Sequence, residues 1–147
     1  MNDYTGFEAV LFEFCRRHHM AMIQPNADLH YVLFIDNRDV TCYSQDGFLF
    51  MQIDSGTLAV QQQDRQRLLK QILQQSLLEM AESAVVVSTN SNDTLVLSLR
   101  LSIDHCYVAD FESSLGELMN HCDMYCDLLA NVNSASMGGQ YGMMSVC

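Results

Sequence analysis

Three short apolar segments follow one another between residues 30 and 53, and only brief polar turns separate them. The segments are 30–35, 40–44 and 48–53, and the turns are Asp36-Asn37-Arg38-Asp39 and Gln45-Asp46-Gly47. Turns this short join antiparallel neighbours, because a parallel connection needs a crossover of about a dozen residues. The sequence therefore predicts a three-stranded antiparallel meander, and the rest of the fold has to be built around it.

Helical and strand patterns lie on both sides of this meander. Apolar residues recur every three or four positions in 5–20, 61–82 and 111–130, which indicates amphipathic helices. Two more strands are predicted at 84–88 and 94–103. The predicted order is α-β-β-β-α-β-β-α, an α+β fold with an antiparallel sheet. We expect a single domain over 1–130, followed by a flexible tail at 131–147 that is rich in Asn, Ser, Gly and Met.

The chain carries 18 acidic and 7 basic side chains, and its formal net charge is -11. This surplus repels phosphate backbones and anionic lipids, so neither nucleic acids nor membranes are expected as partners. No apolar run approaches the roughly 18 residues of a membrane-spanning helix. The N-terminus also lacks a basic flank followed by an apolar stretch, the pattern of a secretion signal. A cytoplasmic protein is therefore expected.

Two histidine–cysteine pairs raise the alternative of a zinc site. His105-Cys106 and His121-Cys122 could combine with Cys126, one helical turn further on. Structural zinc sites usually place their cysteines on tight turns. Cys122 and Cys126 instead share the apolar face of a predicted helix, where a cysteine packs as a small hydrophobic residue. We therefore expect no metal.

A cysteine nucleophile with a histidine base is the other enzymatic alternative. Cys42 or Cys106 would be the nucleophile, and His30, His105 or His121 would be the base. Such catalysis needs a thiol of shifted pKa and an oriented base, and no local pattern predicts either. The sequence has no glycine-rich phosphate loop and no G-x-S-x-G or H-E-x-x-H motif. We expect a protein without enzymatic activity and without cofactors.

The first and third strands contain more apolar residues than a sheet covered on one face requires. Residues 30–35 are apolar at nearly every position, and so are residues 48–51. One explanation is a sheet covered on both faces, by a second copy of the chain. The other is an apolar strip that stays open to another chain, which docks by strand addition or as a helix in a groove. Both explanations can hold together.

The order of elements, the length and the acidity together resemble the class I type III secretion chaperones, the Tir-chaperone (CesT/SycE) family. The resemblance covers about residues 4–130 and is most specific in the last helix, which is most similar to that of ExsC-type chaperones. The residues that carry it are Phe111-Glu112, Leu115, Leu118, Asn120-His121, Asp123, Tyr125 and Leu128-Leu129. The resemblance implies that 1–130 is a homodimeric chaperone domain.

The resemblance also implies which residues bind. The family's client surface uses the first helix and the first three strands, which here assigns effector binding to Phe7, Val10, Leu11, Phe14, Val32, Phe34, Phe48, Phe50 and Met51. Its dimer contacts use the second helix and the following strands, which here assigns the dimer interface to Leu73, Leu77, Val85, Val87, Leu95 and Leu97. A register shift of one residue would invert the exposed face of each strand.

The function implied by the resemblance is to bind the N-terminal segment of a secreted effector and keep it soluble, extended and competent for secretion. The alternative is an ExsC-type partner switch, an anti-anti-activator that regulates secretion genes by sequestering a regulatory protein. The expected partners are thus a second copy of the chain, an effector and, for the alternative, that regulator. The acidic surface would keep open apolar grooves soluble and attract a basic client segment.

Overall fold

The computed structural model describes residues 6–21, 23–58 and 61–136. Its helices and strands occur in the order α-β-β-β-α-β-β-α, which confirms the predicted α+β fold. The elements are α1 (Phe7–Arg17), β1 (Tyr31–Ile35), β2 (Arg38–Gln45), β3 (Phe48–Thr57), α2 (Gln62–Glu79), β4 (Val86–Thr89), β5 (Thr94–Ser102) and α3 (Val108–Ser136), with a 3-10 turn at Ile103–His105.

The strands form one antiparallel sheet in the order β1-β2-β3-β5-β4. The predicted meander supplies its first three strands, which pair as two antiparallel hairpins. Strand β5 returns along β3 in the opposite direction. At one end of the pair the N–H of Ile103 donates to the carbonyl of Gly47 at 3.0 Å. At the other end the N–H of Leu58 donates to the backbone carbonyl of Asp93 at 2.8 Å.

Two tight turns set the register of the meander. Asp36-Asn37 and Asp46-Gly47 have positive φ at both positions, the conformation of type I′ turns. Asp, Asn and Gly tolerate this conformation better than other residues, and its twist matches that of the flanking strands. In this register alternate residues of β1, β2 and β3 are buried on one face of the sheet. The residues between them point to the opposite face, which we call the outward face. This outward face includes Val32, Phe34, Thr41, Tyr43, Phe48, Phe50 and Gln52.

The chain divides into two compact units, and each has its own buried side chains. The first unit extends to Ile53 and resumes from Ser98 to Leu118. It buries Val10, Leu11, Phe14, Cys15, Tyr31, Leu33, Val40, Cys42, Leu49, Met51, Ile53, Leu99, Phe111, Leu115 and Leu118. The second unit spans Asp54–Leu97 and resumes at Met119. It buries Ser55, Leu58, Leu68, Ile72, Leu95, Val96, Leu97, Met119, Cys122, Tyr125, Cys126 and Leu129.

Helix α3 begins three residues before the predicted start and ends six residues after the predicted end. Asp110 is the third residue of the helix, and its carboxylate accepts a hydrogen bond from the N–H of Tyr107 at 3.0 Å. The bond satisfies an amide at the helix entrance, as in half of a capping box. Residues 131–136 continue the helix, since this stretch of the sequence contains neither glycine nor proline. The remainder of the predicted tail, 137–147, lies outside the described residues.

Candidate partner-binding surface

Helix α1 turns most of its apolar residues inwards. Val10 and Leu11 are buried in the first unit. The Phe14 ring is 4% exposed and lies edge-on to Phe111, with 5.1 Å between the ring centroids. Phe7 is half-buried, and its ring lies 5.7 Å from that of Tyr31. Of the four α1 residues assigned to effector binding, only Phe7 keeps a partly exposed side chain.

Strand β1 presents Val32 and Phe34 to solvent. Tyr31 and Leu33 face the core, so the alternate positions point outwards, and Phe34 is 64% exposed. The strand also lies at the end of the sheet and pairs with β2. On its other side none of the described strands pairs with it. An edge of this kind offers backbone N–H and C=O groups to an added strand.

A row of aromatic rings crosses the outward face from β1 towards β5. We call it the aromatic row, and it consists of His30, Tyr43, Phe50 and Phe48. The ring of Tyr43 stacks on His30 at 4.5 Å and on Phe50 at 5.1 Å. Phe48 lies edge-on to Phe50 at 6.4 Å, and the guanidinium of Arg100 sits 4.4 Å from the centroid of the Phe48 ring. Such contacts hold a half-exposed set of rings in a defined arrangement.

Only part of this row is among the residues assigned to effector binding. Phe48 and Phe50 are half-buried members, whereas the adjacent Met51 points into the core and is fully buried. Tyr43 and Arg100 carry no such assignment from the sequence, which suggested His30 only as a catalytic base. What brings Tyr43 into the row is its pairing with Phe50 across β2 and β3, and that pairing depends on the turn geometry.

The second unit exposes several large apolar side chains on α2, at its end and on β4. Leu73 and Leu77 lie one helical turn apart and are 63% and 66% exposed. Other large apolar side chains in the same unit are exposed too. We call the whole set the α2 patch, and it consists of Leu73, Leu77, Leu78, Met80 and Val86. Exposed leucines on one face of a helix are typical of a surface that another chain covers.

The remaining residues assigned to the dimer interface are less accessible. Val85 and Val87 are half-buried, and Leu95 and Leu97 are fully buried within the second unit. The leucines of β5 thus already pack inside this chain. A dimer contact would therefore rest on Leu73 and Leu77.

The thiols considered as nucleophiles resist ionisation. Burial raises the pKa of Cys42 to about 12, and burial together with the Asp110 carboxylate raises the pKa of Cys106. A catalytic thiol needs the opposite shift. Cys122 is buried on α3, as expected for a core cysteine, and Cys126 is buried one helical turn further on. In the part of the chain that the structure describes, no three or more His, Cys, Asp or Glu side chains converge where a metal ion could bind.

The acidic surplus is larger in the first unit than in the second. The segments of the first unit contain eleven acidic and four basic residues, against seven and three in the rest of the chain. The outward face therefore belongs to the more negative part of the protein. No helix within the described ranges has the length and apolar character needed to cross a membrane.

Comparisons with known proteins point to one family. The profile of the Tir chaperone protein (CesT) family matches residues 9–123. Among solved structures, a chain of the Yersinia pestis type III secretion chaperone SycH in complex with a stable fragment of YscM2 is similar with a TM-score of 0.63. It is 21% identical, and the match covers 81% of this chain and 98% of that chain. No curated protein matches the sequence.

Two further structures share the fold. A chain of the ExsC–ExsE complex is 16% identical with a TM-score of 0.67, and the match covers 84% of this chain and 92% of that chain. A chain of the ExoU–SpcU heterodimer from the type III secretion system of Pseudomonas aeruginosa is 12% identical with a TM-score of 0.61. That match covers 80% of this chain and 95% of the other.

Proposed function

This chain belongs to the Tir chaperone protein (CesT) family, and we propose on that basis that it is a type III secretion chaperone. It binds the N-terminal segment of a secreted effector in the cytoplasm and keeps that segment soluble, extended and competent for secretion. The observation that carries the proposal is the outward face of the first unit, where Phe34 and the half-buried aromatic row lie beside β1, the strand at the end of the described sheet.

Binding on this surface combines two interactions. The edge of β1 supplies backbone hydrogen bonds that do not depend on the partner's sequence. Val32 and Phe34, together with the half-buried Phe48 and Phe50, supply apolar contacts for alternate side chains of an extended segment. Hydrogen bonds and apolar contacts suffice, so the protein acts without a cofactor and without catalysis.

The acidic charge favours this function in two ways. A net charge of -11 opposes non-specific aggregation of a protein with exposed apolar side chains. The negative first unit also attracts a basic segment and speeds its encounter with the outward face.

We further propose that the chaperone is a homodimer formed through the α2 patch. Leu73 and Leu77 are exposed one helical turn apart, and exposed apolar side chains that cluster are typical of a protein interface. A second copy of the chain would cover them with its own α2 patch, because a two-fold dimer uses the same surface on both subunits.

An ExsC-type partner switch is the second candidate function. It is favoured by the similarity to a chain of the ExsC–ExsE complex and by the closing helix of the sequence. A partner switch has two partners that compete for one surface, and its deletion changes the transcription of secretion genes. A chaperone for one effector has a single partner, and its deletion lowers the stability or secretion of that effector.

The proposal predicts a partner that depends on the outward face. Val32→Thr/Phe34→Thr removes apolar surface from β1 but keeps residues that favour strands. Affinity purification from the native host, with mass spectrometry, should recover one or a few secreted proteins with the wild type and about tenfold less with the variant.

Tyr107→Thr is the matched control, because Tyr107 is a 74% exposed aromatic residue in the same unit but outside the aromatic row. Equal recovery of the same proteins by wild type and Val32→Thr/Phe34→Thr would contradict the assignment of the surface. Recovery of no secreted or regulatory protein by the wild type would contradict the function.

A further inference from the structure

A cleft of about 410 Å³ lies at the β1 end of the aromatic row, within the first unit. It is lined by Asp28, Leu29, His30, Tyr43, Ser44 and Gln45. The lining combines the stacked rings of His30 and Tyr43 with the carboxylate of Asp28 and the apolar side chain of Leu29. Aromatic rings beside a carboxylate suit a cationic side chain with an apolar stem.

A hydrogen-bonded loop holds Leu29 in an unfavourable backbone conformation. The side-chain oxygen of Asn26 accepts hydrogen bonds from the N–H groups of Asp28 at 2.9 Å and His30 at 3.0 Å, and Leu29 donates to the Asn26 carbonyl at 3.0 Å. Leu29 has a φ of 63°, in the left-handed region that leucine rarely adopts, and it is 71% exposed. The Asn26 hydrogen bonds hold this conformation and leave the Leu29 side chain exposed at the rim of the cleft.

The opposite end of the aromatic row already binds a guanidinium group. Arg100 of β5 places its guanidinium over the ring of Phe48 at 4.4 Å. A guanidinium is planar and weakly hydrated, so it stacks on rings while its N–H groups pair with carboxylates. The lining of the cleft at the His30 end includes no arginine or lysine of this chain.

We propose that this cleft binds an arginine side chain of the partner's extended segment. The guanidinium stacks against His30 and pairs with the Asp28 carboxylate, while the aliphatic stem packs on Leu29. The excess of eleven acidic over four basic residues in the first unit adds long-range attraction for such a segment. This inference rests on the proposed function, because the arginine belongs to the segment that the outward face holds.

The test uses the full chain and a displayed library of random linear peptides. Peptides selected on the wild type should carry arginine at one aligned position. A synthetic peptide of the selected sequence is then used to measure affinity. The Asp28→Asn variant should bind this peptide about threefold to fivefold more weakly than the wild type does. A peptide in which glutamine replaces the arginine should lose about as much affinity for the wild-type protein. The two changes together should weaken binding less than the product of their separate effects, because they break the same contact.

Two variants separate binding from structure. Asp36→Asn is the matched control, since Asp36 is an exposed aspartate of the same unit at the other end of β1, and it should bind the peptide as the wild type does. Leu29→Gly should weaken binding about threefold without lowering the melting temperature, because glycine adopts the left-handed conformation freely.

The outcomes distinguish this inference from the proposed function. Three results would overturn the arginine cleft while leaving the proposed chaperone surface unaffected. The selected peptides could lack the arginine, or they could bind equally well with lysine in its place. They could also bind the Asp28→Asn variant as tightly as the wild type. A library from which no peptide is selected overturns both.

Discussion

Phe14→Asp is expected to unfold the protein. The Phe14 ring is 4% exposed and packs edge-on against Phe111, so the substitution removes an aromatic side chain from the core of the first unit. Truncating a buried phenylalanine costs about 3–5 kcal/mol, and placing a carboxylate in the same site adds to that cost. The sum is comparable with the whole free energy of unfolding of a typical domain, about 5–15 kcal/mol. Circular dichroism during urea titration should show a folded baseline that is lost or nearly lost.

Phe50→Asp is the matched comparison, because it makes the same chemical change on the outward face. Phe50 is half-buried and stacks on Tyr43, so we expect a loss of about 1–2 kcal/mol and a folded protein that no longer binds its partner. A wild-type urea midpoint for Phe14→Asp would show that α1 does not pack in the core. If Phe50→Asp unfolds the protein, Phe50 is a structural residue, and the assignment of the aromatic row to the binding surface is wrong.

Leu73→Glu/Leu77→Glu is expected to convert a dimer into a monomer. Burying an exposed leucine contributes about 1.5–3 kcal/mol, and a symmetric contact would bury four of them. The double variant should weaken the dimer at least a thousandfold, and the new carboxylates would face each other across the interface. Sedimentation or light scattering should give twice 16.7 kDa for the wild type and 16.7 kDa for the variant.

The control for charge is Ser91→Glu/Asn92→Glu, which adds the same two carboxylates to exposed positions of the turn between β4 and β5 without removing a leucine. It should remain dimeric. The helix should stay folded in both variants, because Leu68 and Ile72 still face inwards. A wild type that sediments as a monomer at micromolar concentration, or a double leucine variant that stays dimeric, would rule out the α2 patch as the interface.

The strands could be predicted from the sequence because their turns are chemically specific. Asp36-Asn37 and Asp46-Gly47 adopt left-handed conformations that few other pairs tolerate, and the two turns set the register of the meander. Val32 and Phe34 accordingly point outwards, as their assignment to effector binding requires.

Which apolar side chains of each helix are buried and which stay exposed could not be predicted in the same way. Phe7 and Phe14 belong to one apolar stripe of α1, and periodicity cannot distinguish a side chain that packs in the core from one that waits for a partner. In helix α2 the sequence predicts one apolar side, but Ile72 is buried and the adjacent Leu73 is exposed. Only the packing of the folded chain separates them.

The aromatic row and its cleft were missed for a related reason. His30 and Tyr43 come from separate stretches of the sequence and meet only through cross-strand pairing, and Arg100 comes from a third stretch to reach Phe48. Leu29 has no sequence pattern that predicts its left-handed backbone, because the conformation depends on the hydrogen bonds of Asn26.

Site-specific photo-crosslinking in the native host tests the central proposal most directly. A photoreactive phenylalanine analogue would replace Phe34 on the outward face in one variant and Leu78 in the α2 patch in another, both of which are well exposed. We predict that position 34 crosslinks to the N-terminal segment of one or a few secreted proteins, and that position 78 crosslinks to a second copy of this chain. Crosslinks from position 34 only to this chain itself, or to folded domains of unrelated proteins, would contradict the chaperone function.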